Sequence, residues 1–303
     1  MIIVSGASGG FGRSTADRLI ERGVDPGQLI LTTRTPAKLA DLAALGAQVR
    51  FADFDDPDSL EQAFAGGTRM LLISTARVGS RVGQHRNAIE AAKRAGVGHI
   101  AYTSLISADE DGNPAIVKLD HRATEEILEA SGLAWTHLRD SHYAEAVAGA
   151  MAPVALMTGR LPDNGQAGRV AFVSRDDCVA VAAEVLLGEG HENRAYDLTG
   201  PELMSIPEAM ALASEIAGKP IEVIPVDEDG MFAHFDSLGI AREASDDVPD
   251  GPIPWSSNDM VTFGQSIREG YFDKRSDVVE RLTGRKPRSL RDVMLAHRHL
   301  WPK

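Results

Sequence analysis

The residues near the start of the chain have types and a spacing that suit the binding of a diphosphate. An apolar segment at residues 2–5 leads into a loop of seven residues, and a helical pattern follows at residues 13–22; the loop reads Gly6, Ala7, Ser8, Gly9, Gly10, Phe11 and Gly12. In this G-x-x-G-x-x-G pattern the first glycine permits the turn out of a strand, the second lets a phosphate approach the backbone, and the third lets the helix pack closely. The N–H groups and the positive dipole of the helix then face the phosphates. We predict that all seven loop residues bind a dinucleotide.

The residues after the second predicted strand indicate which dinucleotide is bound. Arg34 follows that strand directly, and Lys38 lies one helical turn further on. A site that prefers NAD has an acidic residue here, which binds the ribose 2′-hydroxyl. A guanidinium instead matches a phosphate in a forked, charge-assisted geometry. The sequence therefore predicts NADP(H) as the cofactor, and the alternative is that Arg34 is a solvated surface residue.

Three further predicted strands end in residues that would line the same cofactor, because ligands of open α/β sheets bind beyond the carboxyl ends of the strands. An acceptor for the adenine amine is one role open to Asp53, and a helix cap or turn is the alternative. The other candidates for cofactor binding are Phe54, Ser74, Thr75, Thr103 and Ser104.

The sequence has no Tyr-x-x-x-Lys pair, in which a lysine lowers the pKa of the tyrosine so that it can move a proton. Each of the four tyrosines is followed four residues later by another residue type: Tyr102 by Ile106, Tyr143 by Val147, Tyr196 by Gly200 and Tyr271 by Arg275. A typical alcohol–ketone dehydrogenase mechanism is therefore not supported.

Alternating strand and helix patterns must position these residues. Strands are predicted at residues 2–5, 29–33, 49–53, 70–74, 100–104 and 135–139, and a helical pattern follows each of the first five. This rhythm predicts an α/β fold with a Rossmann-type doubly wound parallel sheet. We expect residues 1–143 to form an NAD(P)-binding domain and residues 144–303 to form a smaller α/β cap subdomain that completes a cleft.

The pattern is looser in the second half of the chain. Helices are predicted at residues 144–156, 176–187, 206–217, 257–269 and 289–300, and strands at residues 170–173, 196–198 and 221–226. Residues 227–255 hold many Asp, Gly and Pro residues, which predicts a long loop or a flap.

Charge and composition limit the partners that we expect. The net charge is −13, and no run of Lys or Arg forms a tail, which argues against nucleic acid or an anionic membrane as the partner. Because Cys178 is the single cysteine, an internal disulfide and a Cys-rich metal site are excluded, and we expect no metal. We find no stretch of ~18 apolar residues and no basic and apolar leader, so we expect no membrane span and a cytoplasmic location.

Several segments carry a family resemblance in addition to the glycine loop: residues 33–38, 49–57, 71–75, 78–87, 101–105, 121–125, 138–139 and 283–290. With these segments the chain resembles the NmrA-like branch of the atypical short-chain dehydrogenases. Within that branch it is most similar to the group of NADPH:quinone oxidoreductase type 2 and triphenylmethane reductase.

The resemblance implies NADP(H) held by the glycine loop and Arg34, and hydride transfer to a quinone-like or conjugated small-molecule acceptor. Such acceptors need little beyond orientation, because the cofactor supplies the hydride and solvent can supply a proton. His121 stands where related reductases of the isoflavone type carry a lysine, and histidine titrates near neutrality. It is a candidate catalytic residue together with Tyr143, and a helix-surface histidine is the alternative.

The same family leaves a second function open. It includes sensors that bind NADP and pass the redox state to a partner protein, and the missing Tyr-Lys pair suits them equally well. Our second hypothesis is therefore an NADP(H)-binding redox sensor without turnover, and for either function a homodimer is the assembly that we consider.

Two departures from the family pattern concern the acceptor site. Relatives typically read Arg-Asn-Gly-Trp-Tyr after the sixth strand, whereas this chain has Asp140, Ser141 and His142 between Arg139 and Tyr143. Asp140 and His142, as candidate substrate residues, predict a more polar acceptor than a plain quinone. Arg77 stands where the family often has a glutamate, and it is a candidate partner for an anionic group of the substrate or, alternatively, a solvated side chain.

Overall fold

The centre of the computed structural model is a sheet of seven parallel strands, and the structure describes residues 1–243 and 256–302. The strands in these described residues are β1 (Ile2–Val4), β2 (Leu29–Thr33), β3 (Gln48–Phe51), β4 (Arg69–Leu72), β5 (His99–Leu105), β6 (Ala134–Asp140), β7 (Arg160–Asp163), β8 (Arg169–Val170), β9 (Arg194–Leu198), β10 (Met204–Ser205) and β11 (Glu222–Pro225).

The order of the strands in the sheet confirms the predicted Rossmann-type topology. The large sheet runs β3-β2-β1-β4-β5-β6-β9, and β1 pairs in parallel with both β2 and β4. The chain therefore winds in opposite directions on the two sides of β1. At such a switch point the connecting loops separate and leave a crevice beyond the carboxyl ends of the strands.

Helices cover both faces of the sheet and build the cap. They are α1 (Gly10–Glu21), α2 (Ala40–Ala44), α3 (Leu60–Phe64), α4 (Arg81–Arg94), α5 (Val117–Ala130), α6 (Ala144–Ala146), α7 (Ala152–Thr158), α8 (Arg175–Leu187), α9 (Ile206–Ala217), α10 (Glu228–Ser237), α11 (Ser257–Arg268), α12 (Val278–Thr283) and α13 (Leu290–His297).

Two apolar cores lie on opposite faces of the sheet, because successive residues of a strand point to opposite sides. Val4 packs into the core that α1, α8 and α12 cover, and its neighbour Ile3 packs into the core under α3, α4 and α5. Every residue of β2 is buried, as its unbroken run of apolar and threonine side chains predicts for a strand covered on both faces. The sheet edge that carries the crevice is thus held rigidly from both sides.

The second half of the chain builds a third core and also returns to the sheet. α7, α9 and α13 share this third core, and α9 begins with a capping box in which Ser205 and Glu208 bond each other's backbone N–H groups. Between α6 and α7 the chain forms one π-helical turn, Val147–Met151, just before Pro153, which has no N–H to continue the helical ladder. Strand β9 belongs to the large sheet, and helix α8 packs against that sheet, although both follow residue 143. The domain boundary at residue 143 stays a prediction.

Two sequence-based expectations for the second half are wrong. Part of the predicted 227–255 loop is helix α10, because the Asp227 side chain accepts the Gly230 N–H at 2.9 Å and caps the helix; residues 244–255 of that segment lie outside the described residues. The strand predicted at residues 170–173 is limited to Arg169–Val170. None of the helices in the described part of the chain has the length and apolar character that a membrane crossing requires.

Candidate functional site

The glycine loop turns sharply at the end of β1 and passes into α1. Gly6 has a φ of +56°, in the left-handed region that favours glycine. A Cβ on Gly12 would lie 2.6 Å from the Gly6 carbonyl oxygen and 2.8 Å from the Ala7 Cα, whereas a Cβ on Gly10 would meet nothing within 4 Å. Gly12 therefore permits the contact between helix and loop that the spacing predicts.

The first turn of α1 can accept an anionic group. Its N-cap residue, Gly9, gives no side-chain hydrogen bond to the helix, and the first turn holds no acidic residue. The first N–H groups of a helix have no acceptor within the helix, and they carry the positive end of its dipole. Together with the open space beside Gly10, this arrangement fits a diphosphate.

A cluster of three hydroxyls lies beside the glycine loop at the end of β2. The Ser8 Oγ lies 2.6 Å from the Thr33 Oγ1 and 3.2 Å from the Thr35 Oγ1, and the Thr33 Oγ1 accepts the Thr35 N–H at 3.0 Å. Arg34 stands between the two threonines and is exposed, and so is Lys38. The side chains of Arg34 and Lys38 make no hydrogen bond or ion pair with the described residues, so both charges are available to a ligand.

Arg13, the other arginine close to the loop, is already paired. Its guanidinium donates two hydrogen bonds to Asp41, at 2.6 and 3.1 Å, and its Nε donates to Asp17 at 2.9 Å. These carboxylates raise the pKa of Arg13 and neutralise its charge locally. Arg34, rather than Arg13, is therefore the cation beside the hydroxyl cluster that can recognise a phosphate.

Beyond β3, the predicted adenine-binding residues form a turn. The Asp53 Oδ1 accepts the Asp55 N–H at 3.1 Å, and the Phe54 carbonyl accepts the Asn87 side-chain amide at 2.9 Å. The turn that we considered as the alternative for Asp53 is thus present. A carboxylate has further lone pairs, so the turn leaves the prediction for the adenine amine untested.

Ser74, Thr75 and Thr103 come together beyond β4 and β5. The Ser74 N–H donates to the Thr103 Oγ1 at 2.8 Å, and that hydroxyl lies 3.3 Å from the Ser74 Oγ. The Thr75 N–H donates to the His85 Nε2 at 3.2 Å, and the Thr75 hydroxyl donates to Gln84 at 2.6 Å. Ser74, Thr75 and Thr103 therefore form one polar cluster at the carboxyl edge of the sheet.

Ser104 does not join that polar cluster. Its hydroxyl donates to the buried Glu125 of α5 at 2.7 Å, and Arg139 binds the same carboxylate with two hydrogen bonds of 2.8 and 2.9 Å. Glu125 also lies in one group with Glu129 and His137 whose ligand atoms are all within 4.8 Å. Because Arg139 already neutralises Glu125, we interpret this group as an ion-pair network. The Ser104 hydroxyl takes part in it, and cofactor binding by Ser104 stays a prediction.

His121 does not titrate near neutrality, and that part of the prediction is wrong. The imidazole is buried; its Nδ1 lies 2.9 Å from the Tyr102 hydroxyl, and its Nε2 accepts from the Arg81 guanidinium at 3.2 Å. Burial, and then the charge of Arg81, lower the pKa of His121 well below its usual value. His121 is thus neutral with both nitrogens engaged, and it is neither a helix-surface residue nor an acid at neutral pH.

Asp140 and Tyr143 are paired at the end of β6. The Tyr143 hydroxyl donates to the Asp140 Oδ2 at 2.6 Å, and the Asp140 Oδ1 is buried with no oxygen or nitrogen donor bonded to it in the described part of the chain. Desolvation raises the pKa of Asp140 to about 7 and that of Tyr143 well above its usual value. The Asp140 carboxyl is buried and turned to Tyr143, and its place in the acceptor pocket stays a prediction.

His142 faces the cap and lies among aromatic rings. Its ring makes edge contacts with Phe172, at 5.5 Å between centroids, and with Phe263 of α11, at 5.2 Å. Burial lowers the pKa of His142 to about 4, so the imidazole is neutral. Arg77 is half-buried in the loop between β4 and α4.

Four residues beside the predicted site were not among the residues predicted from the sequence. Thr33 and Thr35 flank Arg34, and their hydroxyls were visible as the sequence T-T-R-T. Arg81 and Phe263 come from α4 and α11, and no local pattern marks either of them as a neighbour of His121 or His142.

Comparison with known proteins agrees with this geometry. A family model described as NAD(P)H-binding matches residues 6–188. Quinone oxidoreductase 2 of Escherichia coli (strain K12) is 36% identical over 267 residues, which cover 88% of this chain and 92% of that protein.

Solved structures extend the likeness to the whole chain and confirm the resemblance to the quinone oxidoreductase and triphenylmethane reductase group. The NADPH-dependent quinone oxidoreductase from Escherichia coli complexed with NADPH matches with a TM-score of 0.88 and 33% identity over 99% of each chain. The Citrobacter sp. triphenylmethane reductase complexed with NADP(H) matches with a TM-score of 0.86 and 29% identity over 98% of this chain and 100% of that one. The chain therefore belongs to the NAD(P)H-binding family, and it is an NAD(P)H-dependent oxidoreductase.

Proposed function

We propose that this oxidoreductase uses NADPH to deliver a hydride to a quinone-like or other conjugated small-molecule acceptor. The observation that carries the proposal is an exposed Arg34 that has no ion pair with the described residues and lies beside the hydroxyl cluster of Ser8, Thr33 and Thr35, next to a helix N-terminus without a side-chain cap. The matched quinone oxidoreductase and triphenylmethane reductase are similar to this chain over nearly its whole length.

Backbone groups and side chains would bind different parts of the cofactor. The N–H groups of Gly10, Phe11 and Gly12 would hold the diphosphate, and Arg34 with Lys38 would hold the 2′-phosphate, whose charge an acidic residue would repel. Ser74 and Thr103 would border the nicotinamide ribose. When bound, the nicotinamide supplies the hydride, and the protein supplies orientation and electrostatics.

For the acceptor we propose a surface of aromatic side chains between the sheet and the cap. Phe263 and the neutral His142 are half-buried, and their rings offer edges and faces on which a flat conjugated molecule can pack; the buried Phe172 supports the His142 ring by an edge contact. Because the Asp140 carboxyl is turned inward to Tyr143, His142 is the polar side chain of this aromatic surface. We therefore propose a flat, uncharged or cationic acceptor in preference to an anionic one.

Turnover by the purified protein tests this function. NADPH oxidation is followed by its absorbance with a panel of quinones, azo dyes and cationic triphenylmethane dyes, and we expect turnover with several of them. Tight NADPH binding without turnover of any acceptor would contradict the proposal and favour the redox sensor.

The compartment, partners and assembly are parts of the same proposal. A small-molecule partner, rather than nucleic acid, is supported by the net charge of −13. We propose a cytoplasmic location because a single cysteine suits a reducing compartment. A homodimer is proposed as the assembly, and light scattering of the purified protein tests it.

A further inference from the structure

Asp140 and Tyr143 form a hydrogen-bonded pair that can change its protonation state, which an asparagine at residue 140 could not do. Asp140 is 3% exposed; one of its oxygens accepts the Tyr143 hydroxyl at 2.6 Å, and the other is buried with no oxygen or nitrogen donor bonded to it among the described residues. An asparagine could make one similar hydrogen bond, but it could not gain or lose a proton at neutral pH.

We propose that Asp140 is a positioning residue whose protonation decides whether the Tyr143 hydroxyl can donate a proton to the reduced acceptor. This inference rests on the proposed function, and it adds the route of the proton to the route of the hydride.

Hydrogen-bond chemistry gives the two states of the pair. An ionised Asp140 is only an acceptor, so the Tyr143 O–H is donated to it and is not available elsewhere. A protonated Asp140 has an O–H of its own, which can be donated to the Tyr143 oxygen over the same 2.6 Å. The Tyr143 O–H is then no longer held by Asp140 and can be donated to another acceptor.

The groups around the pair leave Asp140 as the member that titrates near neutral pH. Burial raises its pKa to about 7, and the Tyr143 hydroxyl and the Cys178 thiol of α8 offset part of this effect. The pKa values of Tyr143 and Cys178 are both raised well above their usual values, so these two groups keep their protons.

Charged groups from the neighbouring elements modulate the pair but do not replace it. Arg175 lies over the Tyr143 ring at 5.1 Å and lowers the pKa of that tyrosine, while Asp177 and Glu145 raise the pKa of Cys178. None of these three groups has a hydrogen bond to Asp140 in the described part of the chain.

The proton balance separates two classes of acceptor. A quinone that receives a hydride needs one proton to become the hydroquinone. In our proposal that proton leaves Tyr143, the Asp140 carboxyl proton replaces it, and water later protonates the carboxylate. A cationic triphenylmethane dye that receives a hydride becomes neutral without a proton, so its reduction does not need this route.

Single-turnover rates of NADPH oxidation between pH 5.5 and 9 test the proposal. For a quinone we expect the rate to fall above pH 7 by about tenfold per pH unit, because the rate follows the protonated fraction of Asp140. For a cationic dye we expect no such fall. Equal pH dependence for the two acceptors would overturn the inference.

Variants assign the ionisation to a residue. In Asp140→Asn the fall near pH 7 should vanish for the quinone, and in Tyr143→Phe the quinone rate should be low and free of that fall. Asp259→Asn is the matched control, because burial raises the pKa of this other carboxyl to about 6, and it should leave the fall near pH 7 in place. A fall that persists in Asp140→Asn, or that disappears in Asp259→Asn, would overturn the assignment.

A readout without turnover separates this inference from the proposed function. In the infrared difference between wild type and Asp140→Asn, a carboxylic acid C=O band should disappear as the pH rises through about 7. If no acceptor is turned over, the proposed function fails, and this band still decides whether Asp140 gains and loses a proton near pH 7. A band that is absent at pH 5.5 would overturn the inference, whatever the activity.

Discussion

Replacement of Arg34 by alanine removes one charge from the cofactor site and little else. Arg34 is exposed, and its side chain makes no hydrogen bond or ion pair with the described residues. The fold therefore loses no internal contact, and any effect on binding reports the contact with the ligand. The hydroxyls of Ser8 and Thr33 stay in place because they bond each other at 2.6 Å.

The expected magnitude follows from the charge of the 2′-phosphate. A hydrogen bond to a charged group contributes about 1.5–3 kcal/mol, so NADPH should bind Arg34→Ala roughly 10- to 150-fold more weakly than wild type. NADH has no 2′-phosphate, and its affinity should change much less. The ratio of the two affinities is therefore the quantity that the substitution alters.

Calorimetric titration of NADPH and NADH into each variant measures this ratio. Arg86→Ala is the matched control, since Arg86 is also exposed and its side chain makes no described ion pair, but it lies on α4 beside the groove with α5. The reasoning is refuted if wild type binds both cofactors equally, or if Arg34→Ala and Arg86→Ala weaken NADPH binding alike. A weaker dependence of NADPH affinity on salt in Arg34→Ala would support the loss of an ionic contact.

Three further substitutions test the packing and the electrostatics of the fold by urea unfolding. Gly12→Ala should destabilise the protein by about 1–3 kcal/mol through overpacking, because its Cβ would lie 2.6 Å from a backbone oxygen, whereas Gly10→Ala has free space. Arg139→Ala should cost about 3–5 kcal/mol, because it leaves the buried Glu125 carboxylate with only the longer contact to Arg122, at 3.7 Å, as its ion pair, whereas Arg94→Ala breaks an exposed pair and should cost at most about 1 kcal/mol. For Asp140, the raised pKa means that the folded state holds its proton more tightly than the unfolded state, so the free energy of unfolding should fall as pH rises from about 4 to 7, by at most about 1.4 kcal/mol per pH unit. Asp140→Asn should remove this contribution.

Each of these outcomes can be contradicted directly. Equal stability of the two glycine variants would show that the helix does not need its close contact with the loop. Equal costs for the two arginine variants would remove the distinction between buried and exposed pairs. An unchanged pH dependence of unfolding in Asp140→Asn would mean that another group titrates in this range.

The first half of the fold was predictable because its signals are local. The spacing of Gly6, Gly9 and Gly12 and the buried strand β2 give the topology near the crevice, and Arg34 follows β2 in sequence as well as in space. The cap was less predictable, since its strands β8 and β10 have two residues each, and two residues are too few to show a period. At Asp227 an acidic residue that favours turns also favours helix caps, and the structure selects the cap.

The directions of side chains in the site depend on packing that no local pattern shows. Ser104 was expected beside the cofactor, but its hydroxyl donates to the buried Glu125 carboxylate, which also forms an ion pair with Arg139. His121 was expected to titrate near neutrality, but burial beside Arg81 keeps it neutral. In both cases a partner far away in sequence decides the role.

The most direct test of the central claim is a single turnover of a cationic triphenylmethane dye with NADPH that is deuterated at both C4 positions. If this protein transfers a hydride from the cofactor to the acceptor, the product dye should carry one deuterium at its central carbon, and mass spectrometry should detect it. A product that carries hydrogen from water at that carbon, or no reduced dye despite bound NADPH, would contradict the account.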